Sequence, residues 1–196
     1  CKASCLQYCG RNGMEMAQNA RLRRTHLYYD DLTSFKALLY ADLTSLKLKA
    51  TSENSIPTFR FNCLSDIAIE DTLPDIFSDF PTIQFIDYTK IYSRLFKEHA
   101  DNYHLTYSIS ERTPAGIVSK IYQDTKYNCA AVFEAPVPDR WKFDGKLMPV
   151  ISGDDSDLRH LDPRGAIIGL KYKNPMHNKK LKGKALKPGF IILNNN

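Results

Sequence analysis

The first quarter of the chain has the hydrophobic periodicity of two helices. From Met14 to Tyr29, apolar residues recur at helical spacing with arginines between them. A second helix is predicted to run to about Lys49, because its leucines recur every three or four residues. Asp30 or Asp31 is the expected N-cap of that helix, since a carboxylate accepts hydrogen bonds from the first backbone N–H groups.

From Pro57 onward, short apolar runs alternate with segments of helical pattern, at a spacing of about 20–25 residues that is typical of right-handed βαβ crossovers. Helices are predicted over 71–80, 91–100 and 114–124, and a loop around Trp141. The predicted strands are PTFRFNCLSD, TIQFIDYTK, YHLTYSISE, NCAAVFEA, LMPVISGDDSD and RGAIIGLKY, with GFIIL as a last strand closing an edge.

This pattern predicts an α/β fold in a single domain covering 1–196. About six mainly parallel strands are too few for a closed eight-stranded barrel, so we expect a partial (open) β/α barrel or a doubly wound sheet. The domain is expected to have three parts: a cysteine loop with two helices (1–50), βα repeats (57–172), and a basic tail with an edge strand (173–196).

Composition is that of a folded protein, with 43% hydrophobic and 11% aromatic residues. No apolar run is long enough to span a membrane. The chain opens with Cys and lacks a signal segment, so a fragment or trimmed product is expected, which leaves further cysteines upstream an open question. An odd count of five cysteines argues against a disulfide framework and favours a reducing cytoplasm.

The net charge of +5 is concentrated in one lysine-rich run without acids, 171–187. The rest of the chain is slightly acidic. Such a run is either a solvated loop or a contact with phosphate or nucleic acid. The candidate nucleic-acid contacts are Lys173, Lys179, Lys180, Lys182, Lys184 and Lys187.

Polar residues follow each predicted strand, and in parallel sheets these strand ends share one rim where ligands bind. No pair of acids or bases stands out, so no catalytic residue is named. The candidate ligand-binding residues on this rim are Asn62, Asp66, Asp87, Lys90, Ser108, Ser110, Glu111, Arg112, Asp154 and Arg159.

Three of the cysteines lie within the first nine residues, as Cys1, Cys5 and Cys9. Cysteines this close together form a disulfide, bind zinc or ligate an iron–sulfur cluster. Zinc would need His26 or a further cysteine as its fourth ligand. We favour a [4Fe–4S] cluster, in which three cysteines leave one iron open to another ligand.

The cysteine spacing resembles that of the radical S-adenosylmethionine enzymes, whose usual pattern is Cys-x3-Cys-x2-Cys before a partial β/α barrel. The second gap here is three residues, and no glycine-glycine-glutamate run follows a strand. The resemblance implies a [4Fe–4S] cluster on the triad and S-adenosylmethionine as a candidate cofactor. Its ligands would come from strand ends, among Asn62, Asp66, Ser108 and Ser110.

A second resemblance covers about Arg60 to Ile191. The runs RFNCLSD, IQFIDYTK, NYHLTYSISE and GDDSDLRHLDPRG are similar to the phage gene-product-eighty-eight family. That family is encoded by viruses and mobile elements and carries cysteines near its start. The resemblance implies a viral origin and an intracellular setting, and it assigns no reaction.

The cysteine triad predicts an iron–sulfur protein with its cluster facing the rim, and the second resemblance implies that it is viral. As an enzyme it would be radical-type or redox, passing one electron to a small molecule or nucleic-acid component. Lys90, Arg112 and Arg159 would then hold an anionic substrate. One rival is a non-catalytic protein, stabilised by zinc or a cluster, that binds nucleic acid through its lysine run. Another is an assembly protein whose cluster senses redox state.

Overall fold

A computed structural model describes residues 6–134, 136–173 and 191–192 of the chain. The helices among them are α1 (Glu15–Asp30), α2 (Leu32–Ser52), α3 (Ile69–Thr72), α4 (Ile76–Asp79) and α5 (Ile117–Asp124). The strands are β1 (Thr58–Arg60), β2 (Gln84–Thr89), β3 (Tyr103–Ser108), β4 (Asn128–Phe133), β5 (Arg140–Phe143), β6 (Lys146–Ser152), β7 (Ile167–Lys171) and β8 (Ile191–Ile192). Short 3-10 turns lie at Leu6–Tyr8, Gly10–Gly13, Tyr92–Phe96 and Arg159–Leu161.

The two predicted N-terminal helices are confirmed. Asp31 is the N-cap of α2, because its Oδ1 accepts a hydrogen bond from the Ser34 N–H at 3.0 Å. Helix α2 buries Leu39 and Leu43 in the core. Helix α1 has no buried residue and packs on α2 through Tyr28, whose ring stands edge-on to Phe35.

The strands form one open, mostly parallel sheet in the order β1-β2-β3-β4-β7-β6-β5. Neighbours pair in parallel, except that β5 and β6 are antiparallel. The expected open, mainly parallel α/β sheet is thus confirmed. Strand β3 pairs with β4 only as far as Ala130 of β4, and β8 pairs with the following residues Val132 and Phe133. Strand β8 therefore lies inside the sheet, and the prediction that it closes an edge is wrong.

The main core lies between the sheet and the helices. Alternate strand residues face this side, and they pack with Leu43 of α2, Phe77 of α4 and Ile121 of α5. Rings are frequent in this core, and Phe77 stacks on Tyr103 at 4.6 Å. The strand residues in this core are Phe85, Tyr103, Leu105, Tyr107, Cys129, Ala131, Phe133 and Ile167.

The predicted loop around Trp141 is wrong, because these residues form β5 of a hairpin. Trp141 pairs with Met148, and Phe143 pairs with Lys146. The connecting residues Asp144 and Gly145 have φ values of +47° and +78°. Asp-Gly is a favoured sequence for this two-residue turn, so a usable hairpin signal was present in the sequence.

Two predicted helices are shorter than expected. The segment 71–80 is split into α3 and α4 around Pro74, which lacks an N–H and disfavours helical geometry at Leu73. The segment 91–100 contains only a 3-10 turn. There the Arg94 carbonyl lies 2.7 Å from the His99 ring nitrogen and accepts from the Lys97 N–H, so an α-helical ladder does not continue.

Candidate functional site

A buried amide–carboxylate pair joins the carboxyl ends of β1 and β2. Asp87 is 1% exposed. Its two oxygens accept from the Asn62 backbone N–H at 2.8 Å and from Asn62 Nδ2 at 2.7 Å. Burial raises the pKa of Asp87 to about 6, although the hydrogen bonds from Asn62 lower it. The pair holds the loop after β1 against β2, so both residues already have structural partners.

A buried arginine that was not predicted from the sequence, Arg94, lies beside this pair. Arg94 donates to both carboxylate oxygens of Glu70 at 2.8 Å and to Asp66 at 2.7 Å. Its Nη2 also donates to the Tyr103 hydroxyl at 2.9 Å, and that hydroxyl donates to Asp87 at 3.4 Å. The result is one connected network of ionic and polar groups under the rim. Its sequence signal is weak: acids and a lone arginine in segments that look like ordinary amphipathic turns.

The exposed part of this rim is formed by Lys90 and its neighbours. The Lys90 backbone N–H donates to Asp66 at 2.7 Å, and its ammonium group donates to the Ser108 hydroxyl at 2.9 Å. Five of the predicted rim residues are therefore brought together across β1, β2 and β3: Asn62, Asp66, Asp87, Lys90 and Ser108.

The loop after β3 begins with a compact turn. The Ser110 N–H donates to the Thr113 hydroxyl at 2.9 Å, and the Ser110 hydroxyl accepts from the Arg112 N–H at 3.3 Å. Glu111 and Arg112 are exposed. Of these residues, the charged side chains are on the surface, while Ser110 helps to form the turn.

A second group of predicted residues lies at the carboxyl end of β7. Asp154 accepts from the Lys171 backbone N–H at 2.8 Å, and its other oxygen is 3.6 Å from the Lys173 ammonium group. The Lys173 carbonyl accepts from the Cys9 thiol at 2.9 Å. Cys9 therefore lies just beyond the end of β7. Cys1 and Cys5 fall outside the described residues, as do Lys179, Lys180, Lys182, Lys184 and Lys187.

Arg159 does not lie on the exposed rim. It is 1% exposed, its Nε is 3.3 Å from an oxygen of Asp162, and its 3-10 turn contacts β3. Arg164 anchors the end of the same segment by donating to the Thr125 carbonyl at 2.7 Å. The run GDDSDLRHLDPRG is therefore largely a structural segment that packs back against the sheet, with Asp154 as the member directed toward β7.

Gly153 permits this packing, and replacing it by Ala should destabilise the fold. A Cβ at this position would stand 2.5 Å from Ile168 Cγ2, 2.7 Å from Leu170 Cδ2 and 2.8 Å from Arg159 Nη1. Overpacking of this kind costs about 1–3 kcal/mol of unfolding free energy. Urea denaturation of Gly153→Ala measures it, with exposed Asp155→Ala as the control. Equal stability of the two variants would contradict the close approach.

The protonation of Asp87 should be visible in the pH dependence of stability. Its pKa is about 6 in the folded protein and has an ordinary value of 3.8. The folded state binds this proton more tightly, so its contribution is complete below pH 3.8 and is lost as the pH rises through about 6. The variant Asp87→Asn cannot bind this proton. The free energy of unfolding, plotted against pH for variant and wild type, should therefore lack this change in Asp87→Asn. Parallel curves for variant and wild type across this window would refute it.

Among the described residues, no group of three or more His, Cys, Asp or Glu side chains is arranged to hold a metal ion. A cavity of about 240 Å³ lies at the end of α2, against Ile56 and Thr82, and one of about 100 Å³ lies between α5 and the hairpin. Neither cavity is lined by the predicted rim residues. No helix in the described ranges is long and apolar enough to cross a membrane.

Comparison with known proteins supports one of the two resemblances. Neither the curated proteins nor the solved structures give a match. A family model described as Gene product 88 matches residues 1–190, which includes the cysteine triad, both N-terminal helices and the run that contains Gly153. The chain therefore belongs to the Gene product 88 family.

Proposed function

We propose that this protein binds a [4Fe–4S] cluster through the thiolates of Cys1, Cys5 and Cys9. The observation that carries the proposal is the position of Cys9, half-buried beyond the carboxyl end of β7 and 2.9 Å from the Lys173 carbonyl. Ligand-binding groups in parallel α/β sheets gather at that end of the strands.

The donor set fits an iron–sulfur cluster chemically. Soft thiolates select Fe–S clusters or zinc over hard cations, and three of them leave one iron for another ligand. Iron binding requires the Cys9 thiolate, so the thiol donation to Lys173 must be given up when the metal binds. The half-buried position of Cys9 is consistent with a ligand that exchanges one partner for another.

A radical-type or redox reaction on an anionic substrate is the reaction class that we propose. A reduced cluster supplies one electron, and S-adenosylmethionine is the candidate cofactor. Lys90 and Arg112 are the rim cations with exposed side chains, so they are better suited to hold an anion than the buried Arg159. The sequential parallel order of β1 to β4 supports a radical-S-adenosylmethionine-like partial barrel. We propose that the protein works in the reducing setting of a host cytoplasm.

Anaerobic purification and reconstitution with iron and sulfide tests the proposal. We expect a brown protein with about four iron and four sulfide per chain. A colourless protein that holds one zinc instead would overturn it. For the radical-type reaction, the reduced protein is incubated with S-adenosylmethionine, and cleavage of this cofactor is expected. A protein that has a cluster but gives no cleavage would retain the cluster proposal and reject the radical one.

A second candidate is a metal-stabilised protein that binds nucleic acid. The observation that favours it is α1, which has no buried residue and carries no acid between Met16 and Tyr29, with Arg23 and Arg24 exposed. The Arg23→Ser, Arg24→Ser double variant should weaken DNA binding. The slope of log binding constant against log salt concentration should become less steep by about 1–2. Exposed Lys47→Ser on α2 is the control, and equal binding by both variants would reject α1 as the interface.

A further inference from the structure

The carboxylate of Asp154 joins two points of the segment that follows β7. Its Oδ2 accepts from the Lys171 backbone N–H at 2.8 Å, and its Oδ1 is 3.6 Å from the Lys173 ammonium group. The Asp154 side chain is 21% exposed, whereas that of Lys173 is 62% exposed. This carboxylate therefore anchors the backbone at the end of β7 through Lys171 and lies close to the Lys173 ammonium group.

The anchored residue Lys171 lies two residues before the Lys173 carbonyl. The carbonyl accepts from the Cys9 thiol at 2.9 Å, and the two residues are 164 positions apart in sequence. One carboxylate in the loop after β6 is thereby connected, through the end of β7, to a cysteine near the start of the chain. The exposed neighbour Asp155 makes no such link to β7 in the described structure.

We propose that Asp154 is a positioning residue for the cysteine segment and holds Cys9 at the carboxyl end of the sheet. The consequence for a cluster rests on the proposed function, but the placement of Cys9 does not. A thiol that donates to a backbone carbonyl is partly shielded from an alkylating reagent by that contact. Without Asp154 the end of β7 is released, so the Cys9 thiol becomes more reactive, and the third cluster ligand is held less firmly.

The test measures alkylation of Cys9 in the metal-free, reduced full-length protein, by mass spectrometry of the peptide that contains it. Loss of one hydrogen bond of ordinary strength predicts about a fivefold faster reaction in Asp154→Ala. Asp154→Asn keeps an acceptor for the Lys171 N–H but loses the charged pair with Lys173, so its rate should lie between those of the wild type and Asp154→Ala. Asp155→Ala should react at the wild-type rate.

Equal alkylation rates in wild type, Asp154→Ala and Asp155→Ala would overturn the positioning role. If Asp154→Ala does not fold, Asp154→Asn against Asp155→Asn decides: a faster rate in the former, through loss of the Lys173 pair, supports the role, and equal rates reject it. In iron-reconstituted protein, Asp154→Ala should lose iron to a chelator faster and alter the paramagnetic resonance spectrum of the reduced cluster. A wild type that takes up no iron removes the cluster proposal and leaves the alkylation result in force.

Discussion

Replacement of Arg94 by Met is expected to lower the free energy of unfolding by about 3–5 kcal/mol. The Arg94 side chain is 2% exposed, and its partners Glu70 and Asp66 are 10% and 28% exposed. Methionine fills much of the same volume, but the Glu70 carboxylate stays buried and loses both hydrogen bonds from the bidentate guanidinium group. The cost therefore comes mainly from an uncompensated buried charge. Urea denaturation followed by far-UV circular dichroism measures it.

The neighbouring pair between Lys97 and Asp71 is the matched control. Its side chains are 47% and 55% exposed, so Lys97→Met should cost less than about 1 kcal/mol. Adding Glu70→Gln to Arg94→Met should recover part of the loss, because the second change removes the stranded charge. An Arg94→Met variant as stable as Lys97→Met would show that the network under the rim does not stabilise the fold.

The architecture was largely readable from the sequence because periodicity reports burial. The capped helix that starts after Asp31 has one buried face, which repeats at the helical period. The strands around Phe85 and Leu105 are buried on both faces, so they are recognised as short continuous apolar runs. Strand β5 was not predicted because half of its residues are exposed, so it lacks an apolar run, although Asp144 and Gly145 are a hairpin-turn sequence. Strand β8 can pair with β4 only because β3 ends its pairing with β4 at Ala130, and no local sequence pattern encodes this change of partner.

The candidate site was predicted only in part, since polar residues at strand ends do not reveal their partners. Lys90 and Ser108 do meet on the rim. Asn62 and Asp87 are instead buried against one another, and Arg159 packs back against the sheet. Whether a polar side chain is exposed or buried in hydrogen bonds depends on a distant partner, such as Asp87 for Asn62, 25 positions away. The sequence does not show which distant residues will pair. The link from Asp154 to Cys9 spans most of the chain and was likewise not foreseen.

Replacement of Cys9 by Ser is expected to abolish cluster binding almost completely. A serine hydroxyl is a hard, weakly acidic donor and does not replace a soft thiolate on iron. With one of three ligands removed, the reconstituted protein should hold well under one iron per chain instead of about four. Cys63→Ser is the matched control, because Cys63 is exposed after β1 and lies outside the triad. Cys5→Ser should behave as Cys9→Ser does.

The iron and sulfide content of anaerobically reconstituted Cys9→Ser, measured beside Cys63→Ser and the wild type, decides whether the cysteine triad binds the cluster. We expect about four iron and four sulfide per chain in the wild type and in Cys63→Ser, and almost none in Cys9→Ser. Equal iron in Cys9→Ser and Cys63→Ser, with both variants folded, would contradict the assignment of the cysteine triad as the cluster site.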